Sequence, residues 1–461
     1  MNGFFTLETG LRAIRAQLMA SRVIGHNIAN SRTPGYSRQI AELQPSTPLQ
    51  FSTGQHALSL GTGVTVAGIR RQREEFLDRL ARFHLSDLAR WETLRPALDL
   101  VEIAFGEPAG FGPRQACLRL WDALQELSGE PESGTLRHSA CQEAESLATT
   151  LGSLARHLDE QVQQQVAAAQ DTVAEVNHLA GQIAVLNHDL RLAAILKTQP
   201  GDLEDRLDLL LDRLSSLAGA TSRREGDGTV SVHIGAAVLV ERDSVSPLIL
   251  EITGGQLRFA GAGGSEVVPP SGVLAARRDS HNQILPGYQD SLDTFARQLA
   301  GNLNSIHQAG YGLDGSTGLD LYRYDPAAPA RTLALAPEVA ADPARLAASA
   351  DGAVGDGYGA LSLARALTGP NFTGQSAAEY WASAATRLGM ELEKVGRQVE
   401  NATLLAEQAE NLRAQIMGVS LDEETVDLVR CQHAYAAAAR LISVADEMLE
   451  ILIARTGRVG R

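Results

Sequence analysis

Cysteine is scarce: Cys117, Cys141 and Cys431 are the only three in 461 residues. An odd, widely spaced set without CxxC or Cys/His spacing excludes a disulfide framework and a zinc site, and predicts small buried thiols. Aromatic residues make up only 5% of the chain, which argues against a large aromatic-lined pocket. No stretch approaches the roughly 20 apolar residues of a membrane span. The first residues carry Glu8 and Arg12 where a secretory signal needs an apolar run, so export, if it occurs, uses another route.

Positive charge is also in deficit, with 40 Lys and Arg against 55 Asp and Glu and a formal net charge of -15. Such a chain repels phosphate backbones and anionic lipid, so neither nucleic acid nor membrane is an expected partner. The local basic groups Arg70, Arg71 and Arg73, and Arg223 and Arg224, lack interleaved aromatics and are expected to be solvated surface.

Catalytic motifs are missing as well. There is no HExxH, GxSxG, GxxxxGK[ST] or CxxC, so no catalytic, cofactor or metal residue is assigned. Gly261 to Gly264 lack phosphate-loop spacing and precede Pro269 and Pro270 instead of a helix. The stretch Asp314 to Asp320 departs from a calcium loop at Leu319 and Asp325 and reads as Asx turns. His178, His188 and His281 have no second ligand at helical spacing. Asp422, Glu423 and Glu424 open a helix, where carboxylates offset the exposed amide dipoles.

What the chain does have is Ala, Leu and helical periodicity. Leu7, Leu11, Ile14 and Leu18 alternate at steps of four and three, and the phase continues to Ile28. One narrow stripe of this kind is a coiled-coil seam that needs another helix. At the other end Leu421, Leu428, Tyr435, Ile442 and Leu449 recur every seven residues, with Cys431, Ala438, Ala445 and Leu452 three further on. Two seams at opposite ends of one chain can pair antiparallel or lie side by side in an assembly. A single helix buries too little to offset its ordering entropy, so both ends are expected to be unstable alone and to order on polymerisation.

The pattern between them divides the chain. Residues 1–70 read as an axial helix stopped at Pro34 and Gly35, then an extended segment; 71–219 form a helical strut region, broken by a loop at Phe105 to Pro113 and a turn near Gly129 to Gly134. Short alternating runs predict one small antiparallel β module over 220–270. Residues 271–310 return as a strut helix, 311–375 are irregular with a few short strands, 376–417 give another strut helix, and 418–461 the C-terminal axial helix. The expected fold is mainly α with a small β module, with coiled-coil-like helices from both termini beside a long strut bundle.

Asn27, Ile28, Ala29 and Asn30, followed by Thr33, Pro34, Gly35, Tyr36, Ser37, Arg38 and Gln39, resemble the N-terminal signature of the flagellar rod, hook and hook-associated axial proteins. Met417 to Glu424, with Leu428, Gln432, Tyr435, Ala438 and Ala439, resemble its C-terminal half. The strut to Asn187, the Asp205, Arg206, Asp208, Leu209 segment and Ala309, Gly310, Tyr311 are similar to the interior of the members at the hook–filament junction. The resemblance implies a non-enzymatic flagellar subunit exported by the type III apparatus. It further implies self-association in a ring or tube, contact with the hook protein and a second junction protein, and an export chaperone on the C-terminal helix. Larger members carry a β-rich outer domain after the Gly310 region, where this chain has only a short Asp/Gly/Ala-rich stretch. The competing readings are a hook or distal rod protein, a secreted enzyme on an axial scaffold, and a cytosolic coiled-coil adaptor.

Overall fold

A computed structural model describes residues 2–53, 56–106, 112–196 and 198–456, with side chains over 4–50, 59–106, 112–196 and 198–451. Residues 107–111 of the expected loop and the Leu452 side chain therefore lie outside the described residues.

Helix α1 (Asn2–Asn30) leads into β1 (Gln39–Pro45), β2 (Leu49–Thr53), β3 (His56–Leu60) and β4 (Val64–Arg71). Four helices follow: α2 (Glu75–Phe105), α3 (Pro113–Gly129), α4 (Gly134–Ile195) and α5 (Gly201–Ala218). Strands β5 (Thr221–Arg224), β6 (Val230–Ile234), β7 (Ala237–Glu241), β8 (Ser244–Val245), β9 (Leu248–Thr253), β10 (Gln256–Gly261) and β11 (Glu266–Val267) come next. Helix α6 (Gly272–Asp279) passes through a π-helical turn at Ser280–Ile284 into α7 (Leu285–Ala309). Beyond it are β12 (Tyr322–Arg323), α8 (Pro329–Thr332), β13 (Ala334–Leu335), α9 (Pro337–Ala341) and α10 (Tyr358–Thr368). Two long helices, α11 (Ala377–Met417) and α12 (Leu421–Thr456), end the chain.

The chain divides into two compact units. The first comprises residues 1–85, 176–247 and 404–461; the second comprises 86–175 and 248–403. The second unit holds a continuous core in which the leucine stripe of α4 (Leu147, Leu151, Leu154, Leu158) meets Leu292, Phe295, Leu299 and Leu303 of α7. Few aromatics exist, and most of the buried ones gather here. Phe295 stacks on Phe372 at 4.9 Å and meets the Trp381 ring edge at 5.0 Å, while Phe105 abuts Trp381 at 5.8 Å. Each such pair adds about 0.5–1.5 kcal/mol beyond its burial.

Two expectations change. The single β module over 220–270 is two sheets: the four-stranded β5-β6-β7-β8 belongs to the first unit, and the three-stranded β11-β10-β9 to the second. Alternating residues announce strands but not their partners, and Pro247, with no N–H to donate, separates β8 from β9. The irregular stretch 311–375 contains, besides the small β12–β13 pair, helix α10 packed against α3 and α7. Its Gly-rich flanks, with Gly357 at its start and Gly369 after its end, made its eleven residues read as loop.

One device recurs. Asn187 of α4 donates Nδ2 to the Val230 carbonyl at 2.8 Å and accepts the Val230 N–H at 2.9 Å. Asn282, in the π-turn, does the same for Leu257 of β10, and Asn304 of α7 for Tyr322 of β12. A helix asparagine thus stands in for a missing strand neighbour, satisfying backbone groups that would otherwise be left unpaired.

Candidate assembly interface

Helix α1 ends where the signature begins. Asn30 Nδ2 donates to the His26 carbonyl at 3.1 Å, and the Thr33 hydroxyl donates to Asn30 Oδ1 at 3.0 Å. Pro34 cannot continue the helix, and Gly35 at φ +75° reverses the chain. A Cβ on Gly35 would lie 2.4 Å from Leu209 of α5, so both the backbone angle and the close approach require glycine.

The reversal folds Tyr36 to Gln39 back along α1 and saturates Asn27. The Tyr36 hydroxyl donates to Asn27 Oδ1 at 2.8 Å, and the Gln39 N–H donates to the same oxygen at 3.0 Å. Asn27 Nδ2 donates to the Gln39 carbonyl at 2.9 Å and to Glu424 Oε2 at 3.0 Å. Two donors and two acceptor positions are all in use. Burial, then Asp202, Asp205 and Glu424, raise the Tyr36 phenol well above its ordinary range, keeping it a donor.

Glu424 is 1% exposed and accepts a second charge-assisted bond, from Arg38 Nε at 2.6 Å. Arg38 also reaches Glu423 at 3.0 Å and Asp427 at 3.4 Å, and its backbone N–H donates to the Met417 carbonyl at 2.9 Å. The acidic opening of α12 was expected only to offset the helix dipole, yet Glu424 holds the N-terminal segment to it. Gly10 against Ile442 and Asn27 against Glu424 make the α1–α12 pair antiparallel.

The covered positions are Ala438 and Ala445 of the C-terminal heptad and, on α1, Gly10, Ala16, Val23 and Ile24, all buried. Of the larger residues, Leu7, Ile14, Ile28, Leu428, Ile442 and Leu449 are half-buried, while Leu11, Leu18, Leu421 and Tyr435 are exposed. A Cβ on Gly10 would meet Ile442 at 2.6 Å, so a side chain at position 10 would push the two helices apart. Val444, Met448 and Ile451 of α12 are exposed too. The pair keeps much of its apolar surface on the outside.

An ion cluster anchors the signature to the rest of its unit. Ser37 Oγ donates to Asp205 at 2.6 Å, and its N–H reaches the other carboxylate oxygen at 3.1 Å. Asp205, Asp208 and Asp212 share one face of α5 by their spacing of three and four. Asp208 faces four guanidinium groups, of Arg71 and Arg82 at 3.0 Å, Arg73 at 3.2 Å and Arg224 at 3.3 Å. Burial alone would raise its pKa, but Arg73, Arg224, Arg71 and Arg82 outweigh it and hold the carboxyl below the ordinary range. Asp212 joins Arg82 and Arg413, both at 2.7 Å. The solvated-surface expectation is therefore wrong for Arg71 and Arg73; Arg224 is exposed though it reaches Asp208, and Arg70 and Arg223 lie exposed, paired with Glu42 and Glu225. Sequence spacing showed the arginine run but not the carboxylates more than 100 residues away.

The remaining candidates have local roles. Asp314 accepts the Ser316 N–H at 2.9 Å as an Asx turn. Cys117 and Cys141 are buried, and burial pushes the Cys141 thiol up to about 12; Cys431 is half-buried. His178 bonds Gln182, His188 lies 3.6 Å from Asp243, and His281 bonds Asn282.

Residues 98–322 match the family described as flagellar hook-associated protein FlgK helical domain, and residues 415–455 match the flagellar basal body rod FlgEFG protein C-terminal family. Over 503 aligned positions the chain is 28% identical to flagellar hook-associated protein 1 of Bacillus subtilis, covering 99% of each chain. It is 24% identical to the protein of that name from Salmonella typhimurium, over 68% of this chain and 58% of that one. The solved structure of the flagellar hook junction protein FlgK from Burkholderia pseudomallei shares the fold, with a TM-score of 0.66 at 13% identity, covering 74% of this chain and 100% of that one.

Proposed function

We propose that the chain, which is similar to flagellar hook-associated protein 1 from end to end, is a structural subunit of the hook–filament junction that assembles through its α1–α12 pair. One observation carries this reading. The pair is clasped at Asn27, Arg38 and Glu424 yet leaves Leu11, Leu18, Val444 and Met448 exposed, a surface suited to burial by neighbouring copies in a tube. The long helical match over residues 98–322 favours a junction protein over a hook or rod protein.

In this reading the role is structural, not enzymatic, and the location is the flagellum. The subunit passes through the flagellar type III apparatus and contacts the hook protein on one side and the second junction protein on the other. An export chaperone covers the apolar face of α12 before assembly. The signature residues Asn27, Asn30, Pro34, Gly35 and Tyr36 act by shaping the clasp, and the leucine rows by meeting neighbours. Gene disruption tests the reading: intact hooks with filaments shed into the medium support it. Normal filaments on disrupted cells, or loss of the hooks themselves, would reject it.

A further inference from the structure

Within the first unit, the terminal pair and the β1–β4 ribbon form an arm on a body. Strands β1 and β4 pair with each other, and Arg12 of α1 donates to Thr62, just before β4, at 3.1 Å, so α1, α12 and the ribbon belong together. The body includes α5 and the last turns of α11, where Arg413, 8% exposed, joins Asp212 at 2.7 Å and Glu410 at 2.9 Å. Two short links connect arm and body, residues 72–74 and residues 418–420. In the second, the Gly418 N–H still bonds the Ala414 carbonyl of α11, and the Ser420 carbonyl already accepts the Glu424 N–H of α12. Val419 alone lies between the two ladders. Helices joined by so short a link have no fixed angle of their own, and such positions serve as hinges.

Arg38 spans this joint. Its N–H holds the Met417 carbonyl, at the end of α11, while its guanidinium fans over the first two turns of α12. The three grips on α12 are unequal. Glu424 is buried and 2.6 Å away, whereas the Glu423 and Asp427 side chains are 65% and 38% exposed, and Asp427 is shared with Arg430 at 3.1 Å. Exposed ion pairs hold weakly, and breaking a buried one is costly. There is also room beside the joint. Clefts of about 530 and 360 Å³ lie between Met19 of α1, with Ile69 and Arg70 of the ribbon, and the α4–α5 corner at Gln199 to Gly201. Polar side chains bridge their rim: His26 and Gln39 each reach Asp202 at 3.1 Å, and Gln199 accepts the Ile69 N–H.

We propose that Arg38 is a strap that sets the angle between arm and body, anchored on Glu424 and exchanging Glu423 and Asp427 as the arm tilts over the cleft at the α4–α5 corner. The device belongs to the single chain and is independent of what the chain assembles into. The planar guanidinium suits the task, because its fork of donors holds one carboxylate while swinging between two others. The α1–α12 pair keeps its own contacts throughout, since Asn27, Gln39 and Glu424 all lie on the arm side of the joint. Arg38 is thus a positioning residue, and what it positions is the whole arm.

The test is a pair of distance measurements on the full chain by double electron–electron resonance, with nitroxide labels on exposed positions and Cys431→Ser as background; Cys117 and Cys141 are buried. Arg206→Cys on α5 with Ala437→Cys on α12 reads arm against body, and Ala29→Cys with Ala437→Cys reads within the arm. With Arg38 in place both distances are expected to be narrow. Arg38→Gln should broaden the first and leave the second narrow, and Arg38→Lys, which keeps the charge without the fork, should give an intermediate width. Glu423→Gln combined with Asp427→Asn spares the Glu424 anchor and should broaden the first distance part-way, which keeps the test alive if Arg38→Gln folds poorly. A first distance that stays narrow in Arg38→Gln, or in the double carboxylate variant, would overturn the proposal. Broadening of both distances together would also overturn it, because Arg38 would then hold the pair together instead of setting its angle.

Discussion

Asn27 and Glu424, 397 residues apart in the chain, meet at 3.0 Å and are both buried to 1% exposure. One amide therefore registers the reversed N-terminal segment and the start of the last helix at a single point. Removing the carboxylate by Glu424→Ala leaves Asn27 with an unanswered buried donor and Arg38 without its closest acceptor. The expected loss is about 1–3 kcal/mol, read as a lower thermal midpoint of the isolated chain. Glu423→Ala, at a side chain that is mostly exposed, should change it by about 0.5 kcal/mol or less. Equal effects would show that Glu424 is not the anchor.

Asp208 gathers four arginines, and Asp208→Asn should destabilise the first unit by roughly 3–5 kcal/mol because it strands buried positive charge. The same group gives a pH dependence. Its folded pKa is depressed, so its contribution is fully present above the ordinary carboxyl value of about 3.9 and is lost as pH falls through that value towards the folded one. Denaturant titrations at pH 3 and pH 7 should differ less in Asp208→Asn than in the unmodified chain.

His307 sets a second, milder window. Its Nδ1–H donates to the Leu319 carbonyl at 2.7 Å, and Nε2 accepts the Ala347 N–H at 3.1 Å, so the ring must be neutral. Burial pushes its pKa down, opposed only in part by the Leu319 bond and Asp320. The stability it gives is full above the unfolded value of about 6.5 and declines as pH falls through it. Protection factors, that is amide exchange corrected for its base-catalysed intrinsic rate at each pH, should fall around residues 311–321 and 344–349 between pH 7 and pH 5. His307→Gln should flatten that change.

Gly35→Ala places a side chain at φ +75° and against Leu209. The backbone alone costs about 1–2 kcal/mol, and the overlap adds to it. Leu209→Ala in the same chain should recover the overlap but not the backbone strain, so partial rescue in a double-mutant cycle is the expected result. Complete rescue would show that the turn itself is unstrained.

The terminal pair should exchange unevenly in the free chain. Residues 24–39 sit in the clasp, whereas the contact near Gly10 relies on small side chains. Protection is expected to be strong around Gln39 and weak over residues 5–15, by hydrogen-exchange mass spectrometry. Uniform strong protection along α1 would mean that the pair needs no neighbours.

Periodicity alone located the long helices, the reversal at Pro34 and Gly35, and the alternating strands, because local backbone preferences and turn chemistry act over a few residues. The family signature in Asn27 to Tyr36 was equally local. Four outcomes depended on distant partners. Which positions of the two stripes are covered was one: Gly10, Ala16, Val23 and Ile24 of α1 and Ala438 and Ala445 of α12 are buried, while Leu11, Leu18, Leu421 and Tyr435 are exposed. Glu424 became an anchor only because Asn27 and Arg38 arrive beside it. Arg71 and Arg73 were buried by carboxylates on α2 and α5, and one apparent β module separated into two sheets. A stripe in a sequence tells that a helix has an apolar side; only the packed chain tells which part of that side is covered by its own residues and which is left exposed.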